Sequence, residues 1–374
     1  MKTTFWFLIL LYSFPAISQT ANPGNVFIIT TDGFRWQEVF KGADSNLIND
    51  PKYVSDTSVM KQLYWDNSLE DRRRKLMPFF WNVIAKQGQL YGNRDLDNKV
   101  NVKNIYKISY PGYNELLTGY ADPLPNLNSP VYNRNKSILE YFNNKKEYNG
   151  EVAAFSSWYI FPFVLNTKRN SIVVNSGYHI MPEVNSDSSQ KITEVQLLFD
   201  SSAKTRFDLL TFLTAKEYIQ SHHPKIVYLS FGETDEFAHR KQYDMYLQQA
   251  NNVDKMIAEL WYYVQTDPFY KNNTTFVITT DHGRGNNPAK WNTHNTFVKG
   301  SGEIWLALLG KNIEPLGEMQ NEEMIYQNQL AATVATLLDY TFKPSIKMGK
   351  AFEVPESGLK TTSDIAQGIA ATKK

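Results

Sequence analysis

The sequence predicts an α/β fold with a mostly parallel central sheet covered by helices on both faces. Short apolar runs rich in β-branched residues recur along the chain, and stretches with helical periodicity separate them. This alternation is typical of βαβ units, whose strands are buried on both faces. A small cap or insertion is expected at 166–195, where the chain is polar and irregular.

Length and composition limit the class of protein. The chain has 374 residues, of which 42% are hydrophobic, and we expect a single catalytic domain over 19–354. The formal net charge is +1, so no overall field favours nucleic acid or a membrane surface. Cysteine is absent, which excludes disulfides, thiolate metal ligands and cysteine nucleophiles. The aromatic content of 14% is expected to fill the core.

Both ends of the chain differ from the predicted domain. Lys2 precedes an apolar run, and Ala16, Ile17 and Ser18 form a small-x-small cleavage pattern. We therefore predict a secretory signal peptide over 1–18 and a periplasmic or secreted protein, with an uncleaved anchor as the alternative. No membrane span is expected after cleavage. Residues 355–374 are polar with few apolar residues, which predicts a disordered tail.

The elements follow in order from the start of the mature chain. The first strand, Asn25 to Thr31, ends on Asp32 and Gly33, which taken alone would be a turn. Further strands are predicted within 150–158, at Ile226–Phe231, at 275–280 and at Ile304–Leu309. Helices are predicted at Glu70–Gln87, Lys204–Gln220, Lys241–Gln265 and Glu322–Leu338.

Ser109 precedes a predicted short helix. Pro111 and Gly112 form a turn, so Ser109 is expected at or just before the helix N-terminus. The free backbone N–H groups and the helix dipole favour an anion at this point. An ordinary N-cap is the alternative interpretation of Ser109.

Six carboxylate and imidazole side chains follow three of the predicted strands. Asp235 and His239 are four residues apart, so on a helix they share a face. Strand ends meet at one edge of a parallel sheet, where we expect these groups to converge. Six such ligands exceed the need of one catalytic metal and fit two ions about 4 Å apart. The predicted ligands are Asp32, Asp235, His239, Asp281, His282 and His294.

In these residues the chain resembles the alkaline phosphatase superfamily, and within it the nucleotide pyrophosphatase/phosphodiesterase branch. The resemblance covers roughly 26–338. Each of its motifs is weak alone, but all occur in the order of the family. They are Asp32-Gly33, Ser109-Tyr110-Pro111, Glu233-Thr234-Asp235-x-x-x-His239, Thr280-Asp281-His282-Gly283 and His294.

The resemblance implies a metal-dependent phosphoric ester hydrolase with two divalent ions, usually zinc. One ion would take Asp32, Ser109, Asp281 and His282, and the other would take Asp235, His239 and His294. The implied mechanism is attack by Ser109, which forms a phosphoseryl enzyme, followed by hydrolysis of that intermediate. The substrate would be a small-molecule phosphoester, either a monoester or a diester.

Three further residues are candidate substrate contacts. The resemblance places a Trp near the substrate at Trp158, for which a core position is the alternative. It also leads us to expect an Asn that contacts a phosphoryl oxygen where this chain has Gly112. Asn114 or Lys107 is the candidate replacement.

Two alternatives remain beside the phosphoester hydrolase. A sulfatase-like hydrolase needs Arg four residues after its modified Cys or Ser, and this chain has Tyr113 there. A non-catalytic exported binding protein on the same fold would be expected to lose ligands, and none of the six is missing.

Overall fold

The computed structural model describes residues 24–124, 126–181, 186–199, 201–320, 322, 324–344 and 348–355. The predicted signal peptide at 1–18 and the predicted tail after Pro355 lie outside these residues. Pro355 itself is held, because its backbone oxygen accepts a hydrogen bond from Gln89 Nε2 at 2.8 Å. Within the described ranges, no helix has the length and apolar character that a membrane crossing requires.

Eleven strands in the described residues form two sheets. The central sheet has eight strands in the order β10-β2-β9-β7-β1-β6-β4-β5, and a small sheet has the order β11-β3-β8. The strands are β1 Asn25–Thr31, β2 Gly88–Tyr91, β3 Lys99–Asn101, β4 Val152–Ser156, β5 Val173–Ser176, β6 Ile226–Phe231, β7 Thr274–Thr279, β8 Glu303–Ile304, β9 Leu306–Gly310, β10 Gly317–Glu318 and β11 Met324–Tyr326.

Five neighbouring strands of the central sheet, β7-β1-β6-β4-β5, are parallel. β9 runs antiparallel to both β7 and β2, and β10 is parallel to β2. The prediction of a mostly parallel sheet is therefore confirmed. The carboxyl ends of the five parallel strands lie at one edge, where open α/β sheets place their sites.

Helices cover both faces of this sheet, as predicted. Successive residues of β1 alternate between two cores: Phe27 and Ile29 pack on one side, and Val26 and Ile28 pack on the other. The α-helices are α1 Trp36–Lys41, α2 Ser45–Ile48, α3 Thr57–Tyr64, α4 Leu69–Leu76, α5 Ala85–Gln87, α6 Ser109–Thr118, α7 Ile138–Asn143, α8 Phe161–Val164, α9 Asp187–Leu197, α10 Asp208–His222, α11 Glu233–His239, α12 Tyr243–Thr266 and α13 Leu330–Thr336.

Two predicted helices were wrong in extent. The helix predicted at Glu70–Gln87 ends at Leu76, because Pro78 has no N–H for a continuing helix, and a π-helical turn at Phe80–Ile84 follows. In the segment Glu322–Leu338, the residues of β11 pair with β3 in the small sheet, so that α13 begins only at Leu330. Tertiary pairing overrides helical periodicity here.

Other boundaries differ for the same kind of reason. The helix predicted at Lys204–Gln220 starts at Asp208, since Thr205 is extended and forms a β-bridge with Trp158. The strand predicted at Ile304–Leu309 divides into β8 and β9. In the described part of 166–195, where a small cap or insertion was expected, β5 forms the edge of the central sheet and α9 packs beside α10.

Candidate active site

Two carboxylates lie side by side at the ends of neighbouring strands. β1 and β7 are parallel and paired in register, so the residues that follow them, Asp32 and Asp281, meet at the carboxyl edge of the sheet. The Gly33 N–H donates to Asp281 Oδ1 at 3.0 Å, and the Tyr113 hydroxyl donates to Asp32 Oδ2 at 2.9 Å. Each carboxylate keeps its other oxygen towards His282.

We call Asp32, Ser109, Asp281 and His282 the inner half-site. Its donor atoms surround His282 Nε2, which lies 3.4 Å from Asp32 Oδ1, 3.4 Å from Asp281 Oδ2 and 3.3 Å from Ser109 Oγ. The distance from Ser109 Oγ to Asp32 Oδ1 is 3.5 Å. Ligands of one tetrahedral zinc ion lie roughly 3.2–3.6 Å apart. The four donor atoms therefore have the spacing of a zinc-sized site.

We call Asp235, His239 and His294 the outer half-site. His239 Nε2 lies 3.1 Å from Asp235 Oδ2 and 3.1 Å from His294 Nε2, which itself lies 3.5 Å from Asp235 Oδ1. Asp235 and His239 therefore share one face of α11, as their spacing predicted. The buried Arg284 forms an ion pair with Asp235 Oδ1 and so adjoins the outer half-site. The His282 and His294 rings stack at 3.8 Å and join the two half-sites.

Ser109 is the first residue of α6, as predicted. The N-cap is Ile108, and no side chain forms a cap hydrogen bond, so the alternative of Ser109 as an N-cap was wrong. The Ser109 hydroxyl instead faces Asp32 and His282. In the first helical turn the Tyr110 N–H already donates to Asn128 Oδ1 and Pro111 has no N–H, so the Ser109 N–H is the one that can receive a phosphoryl oxygen.

Backbone carbonyls orient two of the imidazoles. His282 Nδ1 lies 3.0 Å from the oxygen of Gly283, and His294 Nδ1 lies 3.0 Å from the oxygen of Lys107. A carbonyl accepts only, so each Nδ1 carries a proton and Nε2 is the nitrogen available to a metal. This arrangement is common in histidines that bind metals.

The charges of the inner half-site favour a bound cation. Burial, and then the negative charge of Asp32, raise the pKa of Asp281 to about 8. Burial lowers the pKa of His282, but Asp281 and Asp32 outweigh this effect and raise it to about 9. Asp281 Oδ2 is buried without a hydrogen-bond partner in the described residues. A divalent ion would satisfy this oxygen and keep both carboxylates ionised, so the donor set fits a metal.

The outer half-site holds its imidazoles neutral. Burial lowers the pKa of His239 and, by more, that of His294, and the neighbouring His282 lowers both further. Neutral imidazole is the form that binds a metal. Close groups of potential ligands occur twice in the described residues, as Asp32–Asp281–His282 and Asp235–His282–His294.

A polar cleft of about 230 Å³ opens over both half-sites. Ser109, Asp32 and Asp235 line it, together with the predicted Trp158, which is half-buried against Tyr113. The remaining lining residues are Asn128, Tyr159, Lys204, Thr205, Gly232 and Glu236.

The other two candidate substrate contacts do not line the cleft. Asn114 donates to the Tyr120 oxygen at 2.8 Å, and its own oxygen accepts from Asn133 and Asn135, so it stabilises a loop. The side chain of Lys107 lies near Gly302, while its backbone oxygen orients His294. Neither residue contacts the Ser109 hydroxyl.

An amide side chain lines the cleft at another position of the chain. Position 112 has no room for a side chain, because a Cβ there would lie 2.4 Å from the backbone oxygen of Asp281. Asn128 lines the cleft instead, with a left-handed φ of 51° and its Oδ1 accepting from Tyr110 N at 2.8 Å. Asn128 was not predictable from the sequence, because one Asn in a Pro/Asn-rich loop carries no spacing signal.

Lys204 and Arg284 were also missed. Lys204 lies just before a helix, where a cation has no evident role in a sequence. Arg284 reaches Asp235 only because residue 33 is glycine: with φ at 56°, a Cβ there would lie 2.9 Å from the guanidinium nitrogens. The one available signal was that Arg284 follows directly after the Asp281-His282-Gly283 motif.

The fold is shared with solved structures of low sequence identity. Wild-type alkaline phosphatase PafA has the same fold at 9% identity, with a TM-score of 0.56 over 88% of this chain and 98% of that chain. The 2-O GAG sulfatase BT1596 (13% identity, TM-score 0.55) covers 88% of this chain, as does the phosphonate monoester hydrolase of Agrobacterium radiobacter (12% identity, TM-score 0.54). The matches span 73% and 76% of those two chains.

The chain belongs to the type I phosphodiesterase / nucleotide pyrophosphatase family. The model of this family matches residues 45–340, which is more than half of the sequence. The predicted resemblance to this branch of the superfamily is thereby confirmed. No curated protein matches the sequence. Asp32 precedes the matched region, and its place beside Asp281 comes from the pairing of β1 with β7.

Proposed function

We propose that this protein is an exported phosphoester hydrolase that binds two zinc ions and acts through a phosphoseryl intermediate on Ser109. The observation that carries this proposal is the donor geometry around Ser109 Oγ. This atom lies 3.3 Å from His282 Nε2 and 3.5 Å from Asp32 Oδ1, at the start of a helix and in the floor of a polar cleft. A hydroxyl so placed can be ionised by a cation and can attack a bound phosphoryl group.

The two half-sites would each hold one ion. Asp32, Asp281, His282 and Ser109 would bind the first, and Asp235, His239 and His294 would bind the second. When bound, the ions supply Lewis-acid charge that lowers the pKa of the attacking hydroxyl and stabilises the negative charge that develops in the transition state. Oxygen and nitrogen donors without thiolate are typical of catalytic zinc sites.

The residues then divide the reaction into two displacements. In the first, Ser109 Oγ attacks phosphorus, the bond from phosphorus to the ester oxygen breaks, and the leaving group departs with a proton. In the second, water attacks the phosphoryl group on the opposite side, the bond to Ser109 Oγ breaks, and Ser109 regains its proton. The N–H of Ser109 and the side-chain NH₂ of Asn128, whose oxygen already accepts from Tyr110 N, would hold phosphoryl oxygens.

We favour phosphomonoesters as substrates. A monoester carries one more negative charge than a diester, and the cleft has a cation to receive it. Lys204 lines the cleft, and no acceptor for its ammonium group is found in the part of the chain that the structure describes. Diesters are the second candidate, because the family to which the chain belongs is named for phosphodiesterases.

An aromatic pocket adjoins the cleft and suits an organic leaving group. Its volume is about 470 Å³, and it shares Lys204, Thr205 and Glu236 with the cleft. Phe199 and Phe207 meet edge to face at 4.9 Å. Planar leaving groups such as nitrophenol should therefore be accepted.

The alternatives fit the geometry less well. Tyr113 stands where a sulfatase has Arg, and its hydroxyl donates to Asp32, so this position supports the inner half-site. A binding protein without catalysis would have no need for a serine hydroxyl placed among the donor atoms of the inner half-site.

The test is the replacement of Ser109 by Ala and by Thr. We expect Ser109→Ala to keep its zinc, because six ligands remain, but to lose about 10³-fold or more in kcat/KM for nitrophenyl phosphate. Ser109→Thr should retain much of the activity, because its hydroxyl can act in the same way. The measurements are kcat/KM, zinc content by elemental analysis, and melting temperature.

Two results would count against the proposal. A Ser109→Ala protein that keeps its zinc and loses less than about tenfold in kcat/KM, or about 1.4 kcal/mol of barrier, contradicts the covalent mechanism. Wild-type protein with fewer than one zinc ion per chain, and with activity restored by Mg²⁺ alone, contradicts the zinc assignment.

A further inference from the structure

The Asp208 carboxylate belongs to neither half-site, yet it holds the turn from which the outer half-site is built. Asp208 is fully buried. Its Oδ1 accepts from the N–H of Gly232 at 2.7 Å, and its Oδ2 accepts from the N–H of Glu233 at 3.1 Å. Gly232 is the N-cap of α11, and this helix carries Asp235 and His239.

The Glu233 carboxylate in turn accepts a hydrogen bond from the backbone of Asp208. Its Oε2 accepts from the N–H of Asp208 at 2.7 Å, and Asp208 is the first residue of α10. The ordinary N-cap residues of the two helices, Phe207 and Gly232, form no side-chain cap. Asp208 and Glu233 therefore cap each other's helices, and their carboxylates satisfy N–H groups that would otherwise lack partners.

Asp208 also joins this turn to the rest of the fold. Its Oδ1 accepts from Ser157 Oγ at 2.5 Å, just after β4, and its Oδ2 accepts from Gln249 Nε2 at 2.7 Å on α12. One carboxylate thus connects α10, α11, α12 and the end of β4. Burial raises the pKa of Asp208. A buried carboxylate is costly, so its hydrogen bonds must be complete.

We propose that Asp208 is a positioning residue that sets the place of α11 and thereby the zinc affinity of the outer half-site. This inference rests on the proposed function, because it concerns the second ion. The inner half-site is built on β1, β7 and α6, and Asp208 contacts none of these elements through a hydrogen bond. The effect should therefore be confined to one of the two ions.

The replacement Asp208→Asn keeps the size of the side chain but gives it a donor on one side. If the new NH₂ replaces Oδ1, it faces the N–H of Gly232, and if it replaces Oδ2, it faces the N–H of Glu233. Either orientation sets a donor against a donor, so the cap of α11 cannot remain complete. Loss of partners that orient metal ligands typically weakens metal binding 10–100-fold. We expect a drop of about 10–100-fold in the affinity of the outer half-site and less than about threefold in that of the inner half-site.

A matched control separates this role from general stability. Asp254 is also a buried carboxylate that caps a helical turn, because it accepts from the N–H groups of Phe79 and Phe80 at 2.8 Å each. It forms no hydrogen bond with either half-site. Asp254→Asn should lower the melting temperature and leave both zinc affinities unchanged.

The experiment is a zinc titration of the chelator-treated full chain against a chromophoric chelator, for wild type and both variants. The expected result is two tight sites in wild type and in Asp254→Asn, and one tight and one weakened site in Asp208→Asn. Gln249→Met removes only one donor from Asp208 and serves if Asp208→Asn does not fold. It should weaken the same site by a smaller factor.

Three outcomes would contradict the inference. The first is a folded Asp208→Asn protein whose outer half-site keeps its zinc affinity. The second is an equal loss of zinc affinity at both half-sites that follows the fall in melting temperature. The third is the same selective loss of one zinc affinity in Asp254→Asn. Wild type that binds no zinc would instead contradict the proposed function and remove the basis of this inference. Two unchanged sites in Asp208→Asn would contradict the inference alone.

Discussion

The inner and outer half-sites have similar donor atoms but different surroundings. In the inner half-site the side chains of Asp32, Asp281 and His282 are at most 6% exposed, and they follow two central strands. In the outer half-site His239 is 49% exposed, and the proposed ligands lie on a seven-residue helix and in a loop. Paired strands fix the inner ligands, whereas side-chain hydrogen bonds from outside the site fix the outer helix. We therefore expect the outer ion to exchange more readily and the inner ion to be essential.

The largest effect should follow from a change in the inner half-site. Asp281→Asn removes a charged ligand whose Oδ2 has no other partner in the described residues. We expect loss of the inner ion and a fall of about 10³-fold or more in kcat/KM, because Ser109 then lacks the charge that ionises it. Elemental analysis and kinetics at saturating zinc measure both quantities. Full activity with two ions bound would show that Asp281 is not a ligand.

A smaller and reversible effect should follow from a change in the outer half-site. His239→Ala removes one half-exposed ligand and leaves Asp235 and His294 in place. We expect a loss of about 10–100-fold at low zinc that added zinc partly restores, since the site remains open to solvent. Activity measured against zinc concentration tests this. If zinc restores Asp281→Asn as readily as His239→Ala, the contrast between the half-sites is wrong.

The smallest effect should come from the cation of the cleft. Lys204→Ala should lower kcat/KM for nitrophenyl phosphate by about tenfold, because a charged hydrogen bond contributes roughly 1.5–3 kcal/mol and the exposure of Lys204 favours the lower value. The bis-nitrophenyl diester should lose less, since it carries one charge fewer. The exposed Lys61 gives a control, Lys61→Ala, that should change neither substrate. Equal losses for both esters would contradict the preference for monoesters.

How far the sequence predicts this site follows from how each residue is held. Asp32 and Asp281 were predictable because they end strands that were themselves predictable, and parallel strands bring their carboxyl ends together. His239 was predictable from its helical spacing to Asp235. Asn128 and Lys204 were not, because a loop with a left-handed residue and an extended segment place them, and neither has a period in sequence.

The same difference applies to the fold. The mostly parallel sheet and its two covered faces follow from apolar runs alternating with helices. The end of α4 before Pro78 could have been predicted from the sequence, because proline cannot continue a helix. The conversion of 324–326 into β11 could not, since it depends on a partner strand more than two hundred residues away. Asp208 is a similar case: its role depends on a contact with Gly232 and Glu233 that no local pattern marks.

The central claim is that Ser109 carries the phosphoryl group during turnover, and trapping that group tests it most directly. Wild-type protein should be mixed with nitrophenyl phosphate, quenched in acid within one turnover and digested for mass spectrometry. We expect one phosphoryl group on the peptide that contains Ser109, none in Ser109→Ala, and phosphothreonine at that position in Ser109→Thr. The account would be contradicted if turnover is rapid but no quench time shows either a phosphorylated peptide or an initial burst of nitrophenol.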